Sequence, residues 1–115
     1  MGELAFDKGE FNDMAISQKG AEFLIQSRLA DAEGGDINAL FELGVTYSTG
    51  RCGASVDLIE AHKWFNLAAL GGCTRGQACR AEISAEMTAR EIAEAQKSAR
   101  AWLALTGRGV ARVAA

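Results

Sequence analysis

The sequence predicts an all-α fold in which about five helices form antiparallel helix-turn-helix repeats. Three observations lead to this fold class. None of the 115 residues is a proline, the residue that most disrupts helices, and the helix-favouring residue types Ala, Glu, Gln, Arg and Leu are abundant. Glycines divide the chain into segments of helical length, as expected where helices end. A hydrophobic content of 49% supplies one core, so a single domain is expected.

The first predicted helix spans residues 13–33. Its inner face is defined by apolar and amphipathic side chains three and four positions apart, which are Ala21, Leu24, Ile25, Arg28, Leu29 and Ala32. Residues 1–12 before it are acidic and are expected to form a flexible arm, and residues 108–115 are expected to form a flexible tail. The folded domain is therefore predicted to cover residues 13–107.

A second helix is predicted from Asp36 to about Ser48, and a third from Asp57 to Gly71. Asp36 and Asp57 are placed to accept hydrogen bonds from first-turn amides as N-caps, and Glu60 is expected to complete a capping box with Asp57. Spacing by three and four residues predicts the inner faces, which are Ala39, Leu40, Leu43 and Tyr47 in the second helix and Leu58, Ala61, Phe65 and Ala68 in the third.

The last two predicted helices differ in how strongly the sequence indicates them. The fourth, residues 74–85, is weakly indicated because Gly76 lies inside it, and its apolar positions are Ala78, Ala81 and Ile83. The fifth is strongly indicated, because Thr88 and Glu91 have the spacing of a capping box. It is followed by apolar residues at helical spacing up to Gly107, namely Ile92, Ala95, Ala99 and Trp102.

Two segments of the chain recur at intervals in the mid-thirties. Residues 60–63, Glu-Ala-His-Lys, recur as residues 94–97, Glu-Ala-Gln-Lys, and residues 35–39 correspond to residues 72–76. A period of this length that contains two helices is typical of a helical solenoid, in which each repeat buries its apolar face against the next.

Residues 35–72 resemble a Sel-one-like repeat, a relative of the tetratricopeptide repeat. The resemblance rests on Gly35, Ala39, Leu43, Gly44, Tyr47, Gly50, Val56, Asp57, Ala61, Trp64, Phe65, Ala68, Ala69 and Gly71. In the family these positions are structural. The small residues Gly44 and Ala61 are expected to let paired helices approach closely, while Tyr47 and Trp64 fill the groove beside them.

Residues 72–107 resemble the family only in their later helix, and we interpret them as a divergent repeat. Arg80, Ala81 and Ser84 stand where the first copy has Leu43, Gly44 and Tyr47. Residues 13–33 carry no family motif and are interpreted as a capping helix. The chain is thus expected to form a short tetratricopeptide-like superhelix of one well-matched and one divergent repeat.

The resemblance implies a bacterial adaptor that binds a peptide or helix of another protein, with no catalytic centre and no cofactor. The concave face of such a superhelix carries the non-core positions of the first helix of each repeat. The predicted partner-binding groove therefore consists of Asn38, Glu42, Thr46, Arg75 and Gln77. Two alternatives stay open at this point: a self-assembling structural subunit, and a small hydrolase that uses His62.

Charge is unevenly distributed along the chain, whose net charge is −3. Residues 1–36 carry eight acidic and three basic side chains, and the rest carries seven acidic and nine basic ones. This polarity fits either head-to-tail homo-oligomers or a solvated acidic arm, in which Phe6 and Phe11 dock on the protein itself or on a partner. The basic residues of the second repeat lack interleaved aromatics, so nucleic acid is not an expected partner; they are Arg75, Arg80, Arg90, Lys97 and Arg100.

The chemistry-bearing residues are few. His62 is the only histidine and is expected on the surface or at the groove. Cys52, Cys73 and Cys79 form no CxxC pair and do not share one element with it, so reduced thiols and no metal site are expected. The N-terminal residues lack an apolar signal core and no stretch reaches the length of a membrane span, which predicts a cytoplasmic protein.

Overall fold

A computed structural model describes residue 20 and residues 22–107, and within them the fold is entirely helical. Helix α1 covers residues 22–33, and four further α-helices follow, α2 (Ile37–Thr49), α3 (Leu58–Leu70), α4 (Thr74–Ser84) and α5 (Ala89–Thr106), with a 3-10 turn at Arg51–Gly53 after α2. The all-α prediction is confirmed. The predicted arm 1–12, the start of the predicted first helix and the tail 108–115 lie outside the described residues.

Side-chain caps stand at the start of four helices, α2 to α5. The Asp36 carboxylate accepts from the amides of Asn38 and Ala39 at 2.9 and 3.2 Å. Thr88 and Glu91 form the predicted capping box in both directions. These caps satisfy amides that have no partner inside their own helix, so the starts of α2 and α5 are set by sequence close to them.

The capping box predicted for α3 is wrong in one half. Asp57 accepts from the Glu60 amide at 3.1 Å as expected. Glu60 does not bond back, because its Oε1 accepts the indole N–H of Trp64 at 2.9 Å. The buried indole needs that acceptor, and Glu60 therefore accepts the hydrogen bond of a buried side chain and does not cap the helix N-terminus.

Helix α3 is the centre of the molecule, since α2, α4 and α5 all pack on it. The predicted inner face was too narrow, and Leu58 is only half-buried. A helix with neighbours on several sides buries most of its circumference, and the buried residues of α3 are Ala61, His62, Trp64, Phe65, Leu67, Ala68 and Ala69.

Helices α2 and α3 approach closely at Gly44. A Cβ atom at this position would overlap the ring of Phe65, which is 1% exposed. The Phe65 ring in turn packs against that of Phe41, with centroids 5.6 Å apart. The close approach predicted for Gly44 is thus confirmed, and its partner is an aromatic ring.

Helix α4 faces α3 in a way that its apolar pattern did not predict. Of the apolar positions noted in the sequence, Ala78 and Ala81 are exposed and Ile83 is half-buried. The contact is made at Gly76, where a Cβ atom would lie 3.1 Å from the Ala68 methyl group and 3.1 Å from the Phe65 carbonyl oxygen. The glycine that weakened the helix prediction is the residue that allows the helix to pack.

Helix α1 packs on the rest of the core through Ile25, Leu29 and Ala32, of which Ala32 is fully buried. Its predicted inner residue Leu24 is instead 43% exposed. The predicted face spanned too wide an arc, because a helix with one packed side buries a single stripe.

The repeat seen in the sequence has a structural counterpart. The turns from α1 to α2 and from α3 to α4 have the same form, with φ of 102° at both Gly35 and Gly72. In both, the residue that follows donates its amide to the carbonyl five positions earlier, Asp36 to Asp31 and Cys73 to Ala68, each at 3.0 Å. Helix α1 therefore corresponds to α3 as the second helix of a repeat.

The second repeat is more open than the first. Helices α4 and α5 each pack extensively on α3, and much less on each other. None of the helices between residues 22 and 107 has the length and apolar content that a membrane span requires.

Candidate functional site

The residues predicted to form a partner-binding groove lie on α2 and α4, which contact each other. Asn38, Arg75 and Gln77 are exposed, and Glu42 is half-buried. The Glu42 carboxylate is held by Arg51, with Nη1 3.4 Å from Oε1. Four of the five predicted residues are thus accessible to some degree on two neighbouring helices.

The prediction for Thr46 is wrong. Its side chain is 3% exposed, and its hydroxyl donates to the Glu42 carbonyl oxygen at 2.9 Å. The sequence did carry a signal for this burial, since Thr46 continues the spacing of the buried residues Ala39 and Leu43. A hydroxyl that is satisfied inside its own helix offers nothing to a partner.

Arg75 is positioned by an aromatic ring that sequence reasoning missed. Its guanidinium carbon lies 4.3 Å from the ring centroid of Phe41, at cation–π distance. Phe41 is 6% exposed and packs on Phe65, so the ring is a fixed platform. We name the exposed Asn38 and Arg75, with the buried Phe41 ring beneath, the α2–α4 surface. Gln77, two residues after Arg75, is about 200° around α4 and faces away from this surface.

Arg75 differs from two other arginines near it in the fold. Arg51 is paired with Glu42, and Arg80 donates to the Asn66 side-chain oxygen at 2.6 Å. The guanidinium of Arg75 makes no hydrogen bond or ion pair with the described residues. Its planar set of N–H donors is suited to a carboxylate.

Apolar side chains lie at the same end of the helices as Arg75. Ile37, in the first turn of α2, is 37% exposed, and its side chain lies against Gly71, where a Cβ atom would be 2.8 Å away. Leu70, next to Gly71, is 48% exposed. Together with the cation on Phe41, they give this end both apolar and cationic character.

His62 is buried rather than at the surface or groove, which corrects the sequence prediction. It is 2% exposed, and its Nε2 lies 3.1 Å from the Ser84 hydroxyl. Ser84 donates its one proton to the Arg80 carbonyl at 2.7 Å, so Nε2 must donate to Ser84. The other ring nitrogen, Nδ1, is buried without a partner among the described residues.

The surroundings of His62 disfavour its charged form. Burial lowers the pKa of the imidazole, and the nearby positive charge of Arg80 lowers it further. A neutral ring that donates through Nε2 ties α3 to α4. It cannot take a proton from Ser84, because the Ser84 proton is already directed at a backbone carbonyl.

The three cysteines are free and half-buried. Cys73 caps α4, its sulfur accepting from the Gly76 amide at 3.3 Å. Burial raises the pKa of the Cys79 thiol, with a further contribution from Glu82, so its reactive thiolate form is disfavoured. No group of three His, Cys, Asp or Glu side chains within the described ranges is arranged to hold a metal ion.

Trp64, which the sequence places beside Gly44 and Ala61, packs against α5. It is 2% exposed and packs edge-on against Trp102 with centroids 5.5 Å apart. Lys63 covers it, with Nζ 4.4 Å from the ring centroid and 3.9 Å from Glu60 Oε1. Tyr47 is half-buried, and burial raises its pKa, with added contributions from the charges of Glu60 and Asp57.

Comparison of the chain with protein-family models, with curated proteins and with solved structures finds no match. The resemblance of residues 35–72 to a Sel-one-like repeat therefore rests on the residues of the chain itself and stays a prediction. The candidate site is defined by its geometry alone: a cation with unused donors, fixed on an aromatic ring between two repeat helices.

Proposed function

We propose that this chain is a non-catalytic adaptor of the Sel-one-like type, bacterial and cytoplasmic, which binds a segment of a partner protein on the α2–α4 surface. One observation carries the proposal. The Arg75 guanidinium is held on the Phe41 ring at 4.3 Å while its hydrogen-bond donors are unused within the described residues. A cation that is positioned in advance loses less entropy when it binds.

The chemistry of this surface selects the kind of partner segment. Arg75 offers paired N–H donors, which match a carboxylate. Asn38, one turn before Phe41 on α2, offers an amide group that bonds backbone or side chains, and the exposed Ile37 and Leu70 offer apolar contact at one end. The expected ligand is a peptide or helix with an acidic residue followed by an apolar one.

The hydrolase alternative is disfavoured by the contacts of His62. A general base must accept the proton of its nucleophile, but the Ser84 hydroxyl donates to the Arg80 carbonyl. Burial and Arg80 lower the pKa of His62. The contacts of this pair link two helices, which supports a structural role.

The proposal is tested by selection of binding peptides from a random displayed library with the full chain. We expect enriched sequences with an aspartate or glutamate beside an apolar residue. Arg75→Gln should weaken the selected peptides by roughly ten- to a hundredfold, the usual loss for a hydrogen bond to a charged group. Arg100→Gln, an exposed arginine on α5, is the matched control and should bind as the unaltered chain does.

Two results would contradict the proposal. One is the absence of any enriched peptide from the folded chain. The other is equal binding by the unaltered chain and the Arg75→Gln variant. Helical circular dichroism of both variants must match that of the unaltered chain, since Arg75 is an exposed residue whose loss should not unfold α4.

A further inference from the structure

Helix α5 has one packed and one open face. Ala95 and Ala99 are 0% and 1% exposed on the side that packs on α3. The other side forms a shallow groove open to solvent, which we name the α5 groove, lined by Arg90, Ala93, Glu94, Lys97, Ser98 and Ala101. Ala93 and Ala101 give this groove apolar surface between its charged residues, on which another helix can pack.

The repeat register identifies the counterpart of this groove on α3. At the 34-residue offset, Ser98 corresponds to Trp64 and Ala101 to Leu67. Trp64 is 2% exposed because it packs on Trp102 of α5. The α5 groove is therefore the counterpart of the α3 face that packs on α5. The groove has small residues at positions where α3 has large ones, which leaves room for a bulky side chain.

Helix α1 carries a bulky, exposed side chain. Phe23 on α1 is 71% exposed. It lies two residues before Ile25, about 200° around the helix axis, and thus faces away from the core on which Ile25 and Leu29 pack.

Charge favours pairing of α1 with the α5 groove. The N-terminal third of the chain, residues 1–36, has eight acidic against three basic side chains. Among the described residues, α1 carries Glu22, Asp31 and Glu33 against Arg28, whereas the described lining of the α5 groove carries Arg90 and Lys97 against Glu94. The two surfaces thus have net charges of opposite sign, which favours contact between α1 of one copy and α5 of another.

We propose that the chain self-associates head to tail, with α1 of one copy docked through Phe23 in the α5 groove of the next. The contact is heterologous, because one copy contributes α1 and the other contributes the α5 groove. A pair therefore keeps one unused α1 and one unused α5 groove, so further copies can add. A single helix pair buries a small interface, and the association is accordingly weak, concentration-dependent and weakened by salt. The proposal is independent of the α2–α4 surface.

The first test is sedimentation of the full chain from micromolar to millimolar concentration, at low and at high salt. The mean mass should rise with concentration and fall with salt. Phe23→Gln and Ala101→Glu should each weaken association by about tenfold or more, as loss of an anchoring side chain or of its recess does. Ala81→Glu, the same change at an exposed site on α4, is the matched control and should associate like the unaltered chain.

The second test distinguishes a head-to-tail contact from a symmetric one. Phe23→Gln retains an intact α5 groove, and Ala101→Glu retains an intact α1. A mixture of these two variants should therefore form a one-to-one dimer that grows no further. The proposal is overturned if the unaltered chain stays monomeric throughout, if either variant associates normally, or if mixing restores nothing. Arg75→Gln should self-associate like the unaltered chain. A failure of the self-association proposal is thereby distinguishable from a failure of the adaptor proposal, which the peptide-binding test measures.

Discussion

At His62, burial and hydrogen bonding combine to keep an imidazole neutral. The ring is 2% exposed, donates through Nε2 to Ser84 and lies in the positive field of Arg80. A second proton on Nδ1 would place a cation in the interior with no acceptor. The residue therefore couples the packing of α3 and α4 to its protonation state.

This coupling predicts how stability depends on pH. The unfolded chain binds a proton at His62 near the ordinary pKa of about 6.5, whereas the folded pKa is lower. Between the two values the unfolded state holds more protons, so the free energy of unfolding falls as the pH drops below about 6.5 and levels off below the folded pKa. Urea denaturation from about pH 5 to pH 7.5 measures this slope.

His62→Gln provides the control, because an amide can still donate to Ser84 and has no proton to gain. Its free energy of unfolding should be flat over the range in which the unaltered chain loses stability. An equal slope in both proteins would assign the pH dependence to other groups and contradict the role given to His62.

At the scale of helices, the N-cap residues were predictable from the sequence, whereas the faces by which the helices pack on one another were not. Asp36 and Thr88 cap their helices as predicted, because a cap depends on residues three positions away. The burial of His62 is not predictable in this way, since periodicity assigns one inner face and cannot tell how many neighbours a helix has. The burial of Thr46 was predictable, because the residue continues the spacing of Ala39 and Leu43. In the candidate surface, Arg75 was predicted from its position in the repeat. The contact of Arg75 with Phe41 was not predictable, because it depends on how α2 packs on α4.

The close approach of α2 and α3 leads to a prediction about Gly44. Gly44→Ala adds a methyl group against the Phe65 ring, and overpacking of this kind costs about 1–3 kcal/mol. The gain in helix propensity is about 1 kcal/mol. The clash is with a ring that is itself fixed against Phe41, so we expect a net loss of about 1–2 kcal/mol in the free energy of unfolding.

Two comparisons make the Gly44 experiment specific. Gly34→Ala is the matched control, because a Cβ atom there has no neighbour closer than 3.4 Å, and it should be neutral or slightly stabilising. Phe65→Leu combined with Gly44→Ala should cost less than the sum of the two single changes. Additive losses in denaturation experiments would show that the glycine and the ring do not interact.

On the scale of the whole molecule, α3 is the helix on which three others pack, namely α2, α4 and α5, whereas α5 packs extensively on α3 alone among the described helices. A helix enclosed in this way opens only with the whole core, whereas end helices open locally. Buried residues are accordingly concentrated in α3, while α5 buries only Ala95 and Ala99. Among the described residues, Phe23 on α1 and Ala101 on α5 are exposed.

Hydrogen exchange tests this arrangement, since the amides of α3 should exchange most slowly and those of α1 and α5 faster. If copies stack head to tail, α1 and α5 gain neighbours as concentration rises, and their exchange should slow while that of α4 changes little. The Ala101→Glu variant should lose this dependence on concentration and keep the slow exchange of α3. Uniform protection across α1, α3 and α5 at low concentration would contradict the central position of α3, because it would mean that the end helices open only when the entire domain unfolds.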